Sequence, residues 1–113
     1  MIAPDHSYDA NITIFDNDDI AEYRSSDYED KEYSLEDFYS YRIPQIQIRS
    51  ADISFIINKI NKLQLLSEEK IWKLINLDRI GIFGHSFGGG TGIVSTYNNN
   101  DIDACVALDG WIK

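Results

Sequence analysis

The 113-residue sequence is poor in several residue types that mark common protein classes. Its one cysteine, Cys105, excludes an internal disulfide framework or a cysteine-rich zinc site, and its strand context predicts a buried apolar role. Ten lysines and arginines oppose nineteen acids, and the net charge of −9 disfavours nucleic acid and anionic membrane surfaces as partners. Apolar runs stay well short of about 18 residues, so no membrane-spanning helix is predicted. The start, MIAPDHSYD, lacks the features of a signal peptide, and the sequence leaves the compartment open.

The residues that are present predict apolar strands alternating with helices. After Pro44, isoleucines recur at intervals near three and four, which predicts an amphipathic helix to about Leu66. Arg49 and Asp52 are predicted to pair on the surface of this helix. The other predicted elements are the end of a strand at 1–3, a strand at 12–15, a helix at 68–76, a strand at 79–84, a helix at 86–98 and a strand at 103–109. Together they predict an α/β fold in which crossover helices join parallel strands.

Residues 16–43 are predicted to form an acidic, tyrosine-rich surface insertion. The stretch 16–37 contains ten Asp or Glu and only two basic residues, and five tyrosines lie between positions 23 and 41. The stretch has little consistent hydrophobic period, which favours a solvated excursion from the domain. The alternative is an acidic lid near the mouth of an active site.

The sequence RIGIFGHSFGGGTG predicts a strand that runs into a glycine-framed serine and then into a helix. Residues Gly84–Gly88 fit the pattern G-x-S-x-G, in which a strained turn lifts the serine hydroxyl above the sheet edge. Ser86 is therefore predicted as a nucleophile, and the backbone N–H of Phe87 as an oxyanion-hole donor. The alternatives are a plain glycine-rich turn or a phosphate-binding loop, although no GK[ST] follows.

A nucleophilic serine needs a base and an acid, and the chain contains two histidines. His85 adjoins the serine in sequence, so the sharp turn directs its ring elsewhere and a structural role is predicted. His6 is interpreted as a loop histidine, with a place near the site as the alternative. Asp109 ends the strand that follows the nucleophile helix, an edge where sites form in open α/β sheets, and it is predicted to orient an imidazole. Alternatively, Asp109 only ends a strand before Gly110.

GHSFGGGTG, followed at this spacing by ALDGW, resembles the platelet-activating factor acetylhydrolase family of α/β-hydrolases. The stretches APDHSYDANITIF and RSADISFIINKI are also similar to segments of that family. The resemblance implies that Ser86 is the nucleophile and Asp109 the triad acid, placed one strand later. It also implies a partial α/β-hydrolase fold, with residues 1–113 as the central portion of one domain that is incomplete at both ends.

In that family the triad histidine lies beyond the position of Lys113, and the second oxyanion donor lies before that of Met1. The resemblance therefore implies a serine carboxylic-ester hydrolase for phospholipids or small esters, without metal or cofactor, that is inactive as this chain alone. Protein partners are not indicated. The residues leave open another hydrolase of this fold (a lipase, thioesterase or small-ester esterase) and a non-catalytic ligand-binding remnant.

Overall fold

A computed structural model describes residues 1–24 and 34–110, and the chain divides into two compact units, Met1–Phe38 and Tyr39–Lys113. The elements in chain order are β1 (Ile12–Ile14), β2 (Ile20–Glu22), α1 (Leu35–Leu66), α2 (Lys70–Lys73), β3 (Gly81–His85), α3 (Phe87–Asn98) and β4 (Ala104–Leu108). The strands form two separate two-stranded sheets, β1 with β2 and β3 with β4. No helix in the described ranges is both long enough and apolar enough to cross a bilayer.

The first unit contains the antiparallel hairpin of β1 and β2, in which Ile14 pairs with Ile20. Asp18 closes the loop with a φ of 66°, a conformation that Asp tolerates better than most residues. The predicted strand at 12–15 is confirmed, but residues 1–3 form no strand. The sequence did not predict β2, because a three-residue strand within an acidic stretch shows its pattern only opposite a partner.

Helix α1 begins at Leu35, so the prediction that it starts after Pro44 is wrong. The Ser34 hydroxyl oxygen accepts a hydrogen bond from the Asp37 N–H at 3.1 Å and donates to the Asp37 carboxylate at 2.6 Å. This is the N-cap arrangement that satisfies the free N–H groups of a first helical turn. Part of the predicted insertion therefore lies in β2 and α1, and its residues 25–33 lie outside the described ranges.

The buried stripe of α1 confirms the amphipathic pattern predicted for it. Ile46, Ile57 and Ile60 are buried, at spacings that return to one face of a helix. Near the end of α1, the Gln64 side-chain amide donates to the Trp72 carbonyl at 2.9 Å. This hydrogen bond connects the short helix α2 to the end of α1. Helix α2 is shorter than the predicted span 68–76.

Strands β3 and β4 are parallel, and α3 crosses between them, as predicted. Just before the two strands begin, the Asp103 N–H donates to the Ile80 carbonyl at 2.8 Å. The Ile80 N–H donates to the Asp103 carboxylate at the same distance. Gly92 of α3 lies against Ile82 and Cys105, so a single sheet face packs on the helix. Cys105 is half-buried in that contact, in line with its predicted packing role.

The buried face of α1 yields a stability prediction. Ile60 is 6% exposed and Ile48, on the same helix, is 64% exposed. We expect Ile60→Ala to lower the free energy of unfolding by about 2–4 kcal/mol, because it removes buried methyl groups and leaves a cavity. Ile48→Ala, the matched control, should change it by less than about 0.5 kcal/mol. Urea unfolding followed by circular dichroism measures both, and equal losses would contradict this account of the core.

Candidate active site

Ser86 occupies the junction between β3 and α3 in a strained backbone conformation. Its φ is 51° and its ψ is −117°. Side chains with a β-carbon rarely adopt positive φ, and such strain persists only where the surrounding structure holds it in place. The serine oxygen makes no capping hydrogen bond to α3, so its hydroxyl does not serve the helix end.

Two backbone hydrogen bonds hold the junction. The Ser86 N–H donates to the Leu108 carbonyl at 2.8 Å, which continues the ladder between β3 and β4. The Ser86 carbonyl accepts from the Gly90 N–H at 3.1 Å, the first bond of α3. The Ser86 N–H is therefore hydrogen-bonded within the sheet, and the Ser86 carbonyl is hydrogen-bonded within the helix. The chain turns from strand to helix at this one residue.

Close backbone contacts explain the glycines around the serine. A β-carbon on Gly84 would collide with the backbone of Gly88 on the far side of the turn. A β-carbon on Gly89 would lie 2.9 Å from the Cα of Gly110, which is closer than real β-carbons approach such an atom. The glycines thus let the turn close on itself and let the segment after β4 pack against the start of α3.

Asp109 follows β4 at the same edge of the sheet as Ser86. His85 pairs with Leu108 in the parallel register, so Ser86 and Asp109 are the next residues of two neighbouring strands. Asp109 also has a positive φ, of 50°, and it is exposed, whereas Ser86 is half-buried. The two strained residues therefore lie side by side at the carboxyl ends of the strands, where sites form in open α/β sheets.

Phe87 is the first residue of α3, where the helix dipole favours negative charge in front of the N-terminus. Two arginines of α1 stack near its ring: the Arg49 guanidinium carbon lies 4.3 Å from the ring centroid and that of Arg42 lies 5.1 Å away. The sequence predicted only a surface pair for Arg49 and no role for Arg42. Arg42 and Arg49 are seven residues apart, which places both side chains on one face of a helix, and this spacing was the signal in the sequence that could have paired them.

The two histidines lie in different units. His85 ends β3 and is exposed on the sheet face opposite α3, the face that also carries the exposed Phe83. His6 belongs to the first unit, where its carbonyl accepts the Asp9 and Ala10 N–H groups at 3.0 and 2.9 Å. Within residues 1–24 and 34–110, no group of His, Cys, Asp and Glu side chains is arranged to hold a metal ion.

The glycine contacts yield a second prediction. Gly84→Ala should lower the free energy of unfolding by about 1–3 kcal/mol, because the added methyl collides with the backbone across the turn. Gly88→Ala is the matched control, since no atom lies within 4 Å of its β-carbon position, and it should be neutral or stabilise α3 by up to about 1 kcal/mol. Thermal unfolding compares the two variants, and a tolerated Gly84→Ala would refute this packing of the turn.

Comparison with known families agrees with the sequence motifs. The family model described as "Platelet-activating factor acetylhydrolase, isoform II" matches residues 4–113. The chain therefore belongs to this family of carboxylic-ester hydrolases. No curated protein and no solved structure matches the chain.

Proposed function

We propose that this member of the platelet-activating factor acetylhydrolase family is a serine esterase for lipid esters, in which Ser86 is the nucleophile and its turn a nucleophile elbow. The observation that carries the proposal is the strained φ of 51° at Ser86, directly beside Asp109 at one sheet edge. Backbone strain at a half-buried serine between a strand and a helix is typical of a functional position.

In the proposed reaction the Ser86 oxygen attacks the ester carbonyl carbon, and its proton passes to an imidazole. The electron pair of the carbonyl moves to its oxygen and forms an oxyanion. Collapse of this intermediate expels the alcohol, which takes the proton from the imidazolium, and leaves an acyl-serine. Water attacks the acyl-serine in the same way and releases the acid. The proposed steps need a serine, an imidazole and backbone N–H donors, and they call for neither a metal nor a cofactor.

The N-terminus of α3 is suited to the oxyanion. The Phe87 N–H is the proposed donor, because in this architecture the residue after the nucleophile points its N–H at the developing charge. The helix dipole adds favourable potential at that end. Removing one such donor from related sites costs roughly 10²–10³ in kcat, which indicates how much of the rate this group supplies.

Asp109 is the proposed orienting acid. Its position next to Ser86 across the strand pair would let its carboxylate hold an imidazole in the reactive tautomer and stabilise the imidazolium. Neither histidine of the chain is the proposed base, since His85 lies on the opposite sheet face from α3 and His6 is interpreted as a loop histidine. We therefore infer that this chain alone turns over esters slowly.

The first functional prediction concerns the base. We expect the purified chain to show no stoichiometric burst with an activated acetyl ester, and added imidazole to accelerate hydrolysis by supplying the missing proton acceptor. Free imidazole also hydrolyses such esters directly, so Ser86→Ala measures that background. The proposal fails if imidazole acts equally on the parent chain and on Ser86→Ala. A burst without imidazole that depends on Ser86 would instead show that the chain holds its own base.

The second functional prediction concerns the acid. Asp109→Asn should lower the imidazole-dependent rate by about tenfold, because the amide loses the charge-assisted hydrogen bond to the imidazolium. Asparagine tolerates positive φ, so this variant keeps the backbone conformation of the parent residue. Asp103→Asn, at the other end of β4, is the control and should leave the rate unchanged. Equal rates for Asp109→Asn and the parent would remove Asp109 from the mechanism.

A further inference from the structure

The first turn of α3 carries a single large side chain. Phe87 opens the helix, and the next three residues are Gly88, Gly89 and Gly90. Glycine loses more backbone freedom on folding than any other residue and has no side chain to pack, so three in a row weaken a helical turn. Side-chain anchoring of this turn therefore depends on the half-buried ring of Phe87.

Two guanidinium groups of α1 contact that ring. The guanidinium carbons of Arg49 and Arg42 lie 4.3 and 5.1 Å from the ring centroid. Both distances are inside the range of about 6 Å over which a cation is attracted to an aromatic face. Both arginines are half-buried, which strengthens such a contact because less water screens the charge. Arg42 also donates to the Gln45 side-chain oxygen at 2.9 Å, and this bond restrains its guanidinium group.

The direction of the Phe87 N–H depends on the same turn. This N–H and the Ser86 carbonyl belong to one planar peptide group, so the two point in opposite directions. The Ser86 carbonyl accepts from the Gly90 N–H at 3.1 Å, which directs the Phe87 N–H out of the end of the helix. When the Gly90 hydrogen bond opens, the peptide group is free to rotate and the Phe87 N–H loses its direction.

We propose that Arg42 and Arg49 are positioning residues for the oxyanion donor. By stacking on Phe87 they hold the glycine-rich first turn of α3 and so fix the direction of the Phe87 N–H. The catalytic part of this inference rests on the proposed function, because it takes that N–H as the donor. In this role the arginines act through the Phe87 ring and not by contact with the substrate. Arg49 approaches the ring more closely, so it should contribute more than Arg42.

Hydrogen exchange tests the hold on the turn without any catalysis. The Gly90 amide is the reporter, because its bond to the Ser86 carbonyl fixes the peptide group. Arg49→Gln should speed exchange at Gly90 by about fivefold, since a half-buried cation–π contact is lost. Exchange at the Asp103 amide, which donates to the Ile80 carbonyl at the far end of the strand pair, should not change. Equal acceleration at both amides would show general destabilisation and overturn the proposal.

A double-mutant cycle tests whether Arg49 acts through the ring. Phe87→Leu keeps the backbone N–H and an apolar side chain but removes the aromatic face. In this background Arg49→Gln should cause no further acceleration at Gly90. Additive effects of the two substitutions would show that Arg49 acts by another route and would refute the proposal. Arg49→Lys keeps a cation near the ring and should retain part of the protection, and it replaces Arg49→Gln if that variant unfolds.

Kinetics test the effect on the donor, through the Ser86-dependent hydrolysis of a neutral activated acetyl ester in imidazole. Arg49→Gln should lower kcat by about fivefold and change KM by less than about twofold, because the oxyanion forms only after the ground state. Loss of a whole donor costs roughly 10²–10³, so misdirecting one costs less. Arg79→Gln removes the same charge before β3, at the end of that strand remote from Ser86, and should change neither kcat nor exchange at Gly90. A change in KM alone would contradict a positioning role.

The two readouts separate this inference from the proposed function. Equal effects of imidazole on the parent chain and on Ser86→Ala would refute the nucleophile, and exchange at Gly90 would still show whether the arginines hold the turn. Unchanged exchange at Gly90 in Arg49→Gln would refute the positioning role and leave the rescue of Ser86 intact. Faster exchange with an unchanged Ser86-dependent kcat would refute it as well.

Discussion

The site depends on one backbone hydrogen bond, from the Ser86 N–H to the Leu108 carbonyl at 2.8 Å. It joins the turn after β3 to the end of β4, and the missing side chains of Gly84 and Gly110 let the turn close and let the segment after β4 pack against the start of α3. A positive φ at a serine is costly in isolation, by about 1–3 kcal/mol, and persists only where such contacts enforce it. The same bond brings Asp109 to the edge that carries the serine.

The electrostatics of this edge differ from those of the whole chain. The chain is strongly acidic, but the N-terminus of α3 and the guanidinium groups of Arg42 and Arg49 gather positive potential near Phe87. A half-buried cation interacts more strongly with a nearby anion than an exposed one does, because less water screens the charge. The oxyanion proposed at the helix end would benefit from this local field.

The strand, helix and strand between residues 79 and 109 could be predicted from sequence because each has a strong local signal. The apolar run of β3, the glycines of the turn and the small apolar residues of β4 each indicate one local structure. The start of α1 could not be predicted so well. Proline is common in the first turn of a helix, so Pro44 indicated a start that the helix does not have there. The actual cap, Ser34, lies in an acidic stretch with no clear hydrophobic period. Strand β2 was missed because three residues become a strand only by pairing with β1.

The sequence by itself determined that a serine framed by glycines follows an apolar strand, that an aspartate ends the next strand, and that the chain resembles one hydrolase family. These features are local, and a short segment carries the information for each. Only the tertiary structure decided the register that sets Ser86 directly beside Asp109, and the stacking of two arginines near Phe87. Those facts depend on the register of β3 and β4 and on side-chain contacts between α1 and α3. Residues that are distant in the sequence determine both.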